Sequence, residues 1–224
     1  MIRREGVFHL LPSLTNAAHQ AQILPHPKQP VDFNLSFTLP SRLREDSGGR
    51  AVERSFHVGC LAVGDRKGEE ITQLSYSVLI GLEALPDTKV ARKLHFDFEP
   101  IGTRNHVEEK PTFHMQICGK LSPHHTTHGY KDEHIAHMLP SWSKPRVPTP
   151  PMSLALILNW LFIEFGTEAH VHQIRQNLKW RKLVRDAERK VLLPYYKRCA
   201  DFLSSNANEH ESFYSAQLYE SKMA

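Results

Sequence analysis

From Val31 to Leu39 apolar and polar residues alternate without a break, Val31, Phe33, Leu35, Phe37 and Leu39 against Asp32, Asn34, Ser36 and Thr38. A period of two sorts these residues onto the two faces of an extended strand, and no helix would do so. The pattern returns with Phe56, Val58, Cys60 and Ala62 in a segment over 53–63, then with Leu74, Tyr76, Val78, Ile80 and Leu82 over 71–83. Gly64-Asp65-Arg66-Lys67-Gly68 supplies turn chemistry between these two, and a break at Pro86-Asp87 precedes a fourth strand over 90–99. A fifth covers 112–120. The links are too short for the crossovers that parallel pairing needs, so the expectation is a five-stranded antiparallel meander.

After a long Pro- and His-rich stretch, 121–152, the period turns helical. Ser153 caps Leu154 to Phe165, an almost wholly apolar segment that reads as the central buried helix, and Gly166 stops it. A longer helix from Thr167 to about Leu193 carries an apolar stripe of Val171, Ile174, Leu178, Leu183, Val184, Ala187 and Val191, and a last one covers about 195–204 after Pro194. A sheet followed by helices is the α+β class, with the C-terminal helices packed on one sheet face. The organisation is therefore an N-terminal segment 1–30, the sheet 31–120, the loop 121–152, helices 153–205 completing the same domain, and a polar tail 206–224.

Composition excludes several classes. Hydrophobic residues at 40% and charged residues at 23% are an ordinary globular mix. Cys60, Cys118 and Cys199 are odd in number and form no CxxC pair, which argues against a disulfide framework or a thiolate zinc site and for a cytoplasmic setting. The N-terminal apolar stretch is interrupted by His9 and Pro12 and does not read as a signal peptide. The apolar run 154–165 is far short of the ~20 residues that cross a bilayer, so no membrane crossing is expected.

Histidine departs from the average: 15 of 224 residues, eight of them between His95 and His137. In Leu94-His95-Phe96-Asp97-Phe98-Glu99, alternation puts His95, Asp97 and Glu99 on the face opposite the phenylalanines, and the fifth strand repeats the design with His114 and Gln116. Pairing the two strands gathers His95, Asp97, Glu99 and His114 as candidate catalytic residues. Asp97, Glu99 and His114 suit a divalent metal ion, and a histidine beside a carboxylate suits a general base. The bland reading is the solvated face of a hairpin. Asp97 followed by Glu108-x-Lys110 also has the order of acids and lysine used by metal-dependent nucleases. The spacings His124 to His128 and His134 to His137 could pair rings on a helical turn, but their Pro-Gly surroundings favour solvated loop histidines.

The net charge of +4 hides a polarised distribution: residues 168–200 hold nine basic side chains against three acidic ones. Arg175, Lys179, Arg181, Lys182, Arg185 and Arg189 are the expected nucleic-acid-binding residues, tracking phosphates from one helix face. P-loop, GxSxG, GxGxxG and HExxH motifs do not occur in the sequence.

Arg92 to Pro100, then Pro111-Thr112-Phe113-His114-Met115-Gln116, then Pro145-Arg146-Val147-Pro148 with Pro151-Met152-Ser153 and an apolar helix, resembles a group of uncharacterised bacterial proteins. In these an Asp-aromatic-x-Pro strand precedes a His-bearing strand. The resemblance covers about a third of the chain and departs at Lys110-Pro111, where the group tends to carry His-Pro. It implies a mobile-element, toxin or phage-defence setting and supplies no reaction. The expectation is a nucleic-acid-associated protein, a nuclease-like effector with a divalent metal. The alternative is a non-catalytic subunit that docks a protein partner through the polar sheet face and the prolines of 140–151.

Overall fold

The computed structural model describes residues 30–41, 51–64, 71–98, 112–117, 121, 123–131, 146–166 and 169–205. Its centre is an antiparallel sheet of β1 (Val31–Ser41), β2 (Val52–Gly64), β3 (Ile71–Gly81), β4 (Thr88–Phe98) and β5 (Phe113–Ile117), paired in sequence order as the alternation requires. Two short strands come from the stretch read as irregular. β6 (Tyr130–Lys131) pairs parallel with the start of β4, and β7 (Arg146–Pro148) extends the sheet antiparallel to β5. The sheet therefore has seven strands rather than five. Pro148, Pro150 and Pro151 are half-buried, and Thr149 donates its N–H to the Phe113 carbonyl, so the described end of the proline stretch is part of the fold. Residues 140–145 lie outside the described residues.

One face of the sheet is the apolar core. Phe33, Leu35, Phe37 and Leu39 of β1 meet Phe56, Val58 and Cys60 of β2, Tyr76, Val78 and Ile80 of β3, and Leu94 and Phe96 of β4. Helix α2 (Leu154–Glu164) closes over them with Ile157, Leu158 and Leu161, its first turn capped by the Ser153 hydroxyl. Phe56 lies at the centre, stacked on Phe37 at 5.4 Å and tilted against Phe165 at 5.6 Å. The helix is not buried all round: Ile163 and Glu164 are exposed, so α2 is a flank of the core rather than its axis.

The long helix expected over 167–193 is divided. Helix α3 (Ala169–Gln176) ends where Asn177 turns extended and caps α4 (Leu178–Ala187) with its side-chain oxygen. The non-helical Asn177 resets the phase of the apolar stripe. Val184 stays buried, whereas Leu178 is 79% exposed and Ile174 and Leu183 also face solvent. Beyond Ala187 the rod continues through a π-helical turn (Glu188–Leu192) into α5 (Leu193–Ser204), so Pro194 does not separate two helices. An interior proline lacks an N–H and clashes with the carbonyl four residues back; the wider π turn immediately before it relieves both conditions.

The two kinds of apolar residue separate in denaturation. Phe56→Ala is expected to cost about 3–5 kcal/mol in urea unfolding, as for a large buried ring, and Leu178→Ala less than about 0.5 kcal/mol. A large loss from Leu178→Ala would mean that α4 buries the face assigned here to solvent.

Candidate functional site

On the opposite face three rows of facing residues cross the sheet. Ser36, His57, Leu79 and Lys93 form one; Asn34, Gly59, Ser77, His95 and Gln116 the next; Asp32, Leu61, Ser75, Asp97 and His114 the third. His95, Asp97 and His114 thus share a face as the alternation requires. Glu99 lies outside the described residues, as do Glu108 and Lys110.

Around His57 and Leu79 this polar face is buried under described residues of the 121–131 stretch. Helix α1 (Pro123–Thr127) and β6 lie over it, with Leu121 and Tyr130 packed on Leu79 and Val90. Pro and Gly flank this short helix instead of breaking it. Pro123 occupies its first position, where a missing N–H costs nothing, and Gly129 takes the left-handed backbone (φ 86°) that turns the chain into β6. The loop histidines are consequently not all solvated. His128 is exposed, but His125 is only 6% exposed, its ring edge-on to His57 at 5.5 Å. The side chain of His124, and His134 and His137, lie outside the described residues.

His57 is the functional-type residue that strand periodicity passes over. It is fully buried, with His125, His128 and Tyr130 arranged around its ring at 5.5–5.8 Å. Both ring nitrogens have partners: Nε2 reaches Asn34 Oδ1 at 3.1 Å and Nδ1 the Ser36 hydroxyl at 2.9 Å, a set that a neutral imidazole satisfies. Gly59 makes this possible. A Cβ there would stand 2.8 Å from Ser77 Oγ and 3.1 Å from Asn34 Oδ1, displacing the residues that hold the ring. A histidine two residues from a glycine on a strand, facing serines and an asparagine on its neighbours, is the signal that could have located it.

Across the sheet from His57 lie the candidate residues of β4 and β5. Ser75 donates its hydroxyl to Asp97 at 2.5 Å, and Asp97 Oδ2 lies 3.6 Å from His114 Nε2, which is 2% exposed. Burial, then Lys93, His125 and His114, push the pKa of His95 down to about 4. Its Nε2 is buried without a hydrogen-bond partner among the described residues, the state of a ring held neutral. Asp97 with His114 has the composition of an oriented base; His114 is buried, whereas Asp97 is 15% exposed and lines an apolar hollow. Glu99, the third residue of the expected metal set, lies outside the described residues. Among the described residues no three His, Cys, Asp or Glu side chains are placed to hold one ion.

The expected phosphate-binding residues fall elsewhere, on the helices of the other side. Arg175 at the end of α3 and Arg181, Lys182 and Arg185 of α4 line one groove of about 690 Å³, together with Asn159, Leu178, Trp180 and Val184. Lys179 is exposed on α4 and Arg189 in the π turn, and neither lines it. Arg185 pairs with Glu188 at 3.1 Å, and the Trp180 indole donates to Asn159 at 3.2 Å. The hollow that Asp97 lines, of about 580 Å³, lies between Tyr76, Phe96, Phe98 and Phe113 and the chain at Pro150 to Met152.

No described helix is long and apolar enough to cross a membrane. No family model matches the chain, and no curated protein or solved structure does either.

The buried ring of His95 has a consequence for stability. Its folded-state pKa, about 4, lies below the ordinary value of 6.5, so the unfolded chain binds the proton more tightly. The stabilisation is complete above pH 6.5 and is lost as pH falls toward 4, by up to about 3 kcal/mol. Urea titrations from pH 7 to 4.5 are expected to show this slope in the wild type and a shallower one in His95→Gln; equal slopes would contradict the assignment.

Proposed function

We propose that the chain is a nucleic-acid-associated protein that binds a polyanion through the groove between α3 and α4. The observation that carries this reading is the convergence of Arg175, Arg181, Lys182 and Arg185 on one concave surface, where Glu188 is the only lining carboxylate among the described residues. A cleft lined by one sign of charge focuses its field and draws counter-charged ligands in, and lysine and arginine contacts to phosphates supply most non-specific affinity. A nuclease-like role for Asp97 and His114 has less behind it. A scissile phosphate would have to reach a histidine that is 2% exposed, and the described donors do not compose a metal site. In this reading the histidine face holds the 121–131 stretch on the sheet, and the helices meet the ligand. The bacterial mobile-element or defence setting implied by the resemblance is compatible with such a role.

A second reading, a protein-binding subunit, is favoured by a different feature. Ile163, Leu183, Leu193 and Leu203 are all exposed along the helical side. Apolar residues of this kind, where they join into a patch, mark protein partners.

Fluorescence anisotropy with a labelled mixed-sequence oligonucleotide tests the first reading. Arg181→Glu with Arg185→Glu is expected to weaken binding at least about tenfold and to lower the slope of log affinity against log salt by about 2, the two phosphate contacts removed. Asp97→Asn should leave affinity unchanged. Wild-type protein that fails to bind at low salt, or a double variant that binds as well as wild type, would overturn it.

A further inference from the structure

We infer that the polyanion is a single-stranded rather than a duplex nucleic acid, an inference that rests on the reading just given. The groove is not a purely ionic surface. Leu178 stands at its mouth, 79% exposed, and the Trp180 indole forms part of its wall, fixed by the bond to Asn159 and by Phe162 packed at 5.3 Å. The cations Arg175, Arg181 and Lys182 are interleaved with this apolar surface. Among the described residues none of the three has a carboxylate partner.

A duplex turns its base faces inward and offers phosphates, sugars and groove edges. Laid across this concavity it would meet the rim cations and leave Leu178 and the indole without a partner. A single strand can place a base against them while its phosphates meet the guanidinium and ammonium groups, the two contacts that sequence-tolerant single-strand sites combine. The size agrees: about 690 Å³ is within the range of sites that enclose small ligands, room for a short run of nucleotides and not for a helix.

The full-length chain is titrated, at one salt concentration, against labelled oligothymidylate, a strand of equal length with abasic sites throughout, and a duplex, with polyglutamate as competitor. Oligothymidylate is expected to bind about tenfold or more tighter than either other nucleic acid, since base stacking on a protein surface contributes on this scale. Leu178→Ser, whose side chain faces solvent, is expected to weaken oligothymidylate binding severalfold with an unchanged salt slope and an unchanged circular dichroism spectrum. Duplex or abasic strand binding as tightly as oligothymidylate would overturn the single-strand inference and leave the polyanion reading standing. Binding of none of the three would overturn both. Polyglutamate competing as effectively as oligothymidylate would assign the groove to an acidic protein segment, contrary to both.

Discussion

The fold depends on a buried polar sheet face being satisfied. A polar side chain taken out of water without a partner costs on the order of 1–3 kcal/mol, and this face buries His57, Lys93 and His114 together. Cross-strand geometry supplies much of the compensation. Asn34 and Ser36 hold both nitrogens of His57, and Ser75 holds Asp97 beside His114. The cover formed by α1 and β6 shields it from water, placing His125 and Tyr130 against the His57 ring while Leu121 fills the apolar corner over Leu79 and Val90; His95 Nε2 stays without a partner among the described residues. The sheet is thus buried on both faces by different chemistry, one apolar under α2 and one imidazole-rich under 121–131.

That division explains what the residues alone disclose. The apolar face is legible because period-two alternation has one physical reading, and β1 to β4 begin and end within a few residues of where the pattern and the turn residues place them. The burial of the other face is not legible in the same way: serine, asparagine, histidine and aspartate on alternate strand positions look the same whether water or a folded segment lies above them. Its covering helix was hidden by Pro123 and Gly129, residues that bound a short helix as readily as they interrupt a long one. Among the candidate residues, alternation correctly brought His95, Asp97 and His114 to one face, and it passed over His57, which lies two strands away. The positive cluster was readable from charge spacing, but its apolar stripe was read as continuous, whereas the extended Asn177 divides the helix and leaves Leu178 and Leu183 exposed while Val184 stays buried.

The two sides of the molecule therefore separate roles. His57, His114 and His125 fill a polar interior on the sheet side, and the His57 ring is bonded at both nitrogens. Arg175, Arg181, Lys182 and Arg185 lie on α3 and α4, around a hollow that the apolar core holds in place through Trp180 and Phe162.

The central claim is that the segment bearing His125 closes over His57. Histidine carbethoxylation read residue by residue by mass spectrometry tests it most directly, because the reagent needs an exposed neutral ring. His128 and His172, both exposed, are expected to react quickly in the native protein, and His57, His114 and His125 only after unfolding. Native-state modification of His57 and His125 at the rate of His128 would show that the face is open, and would contradict the account.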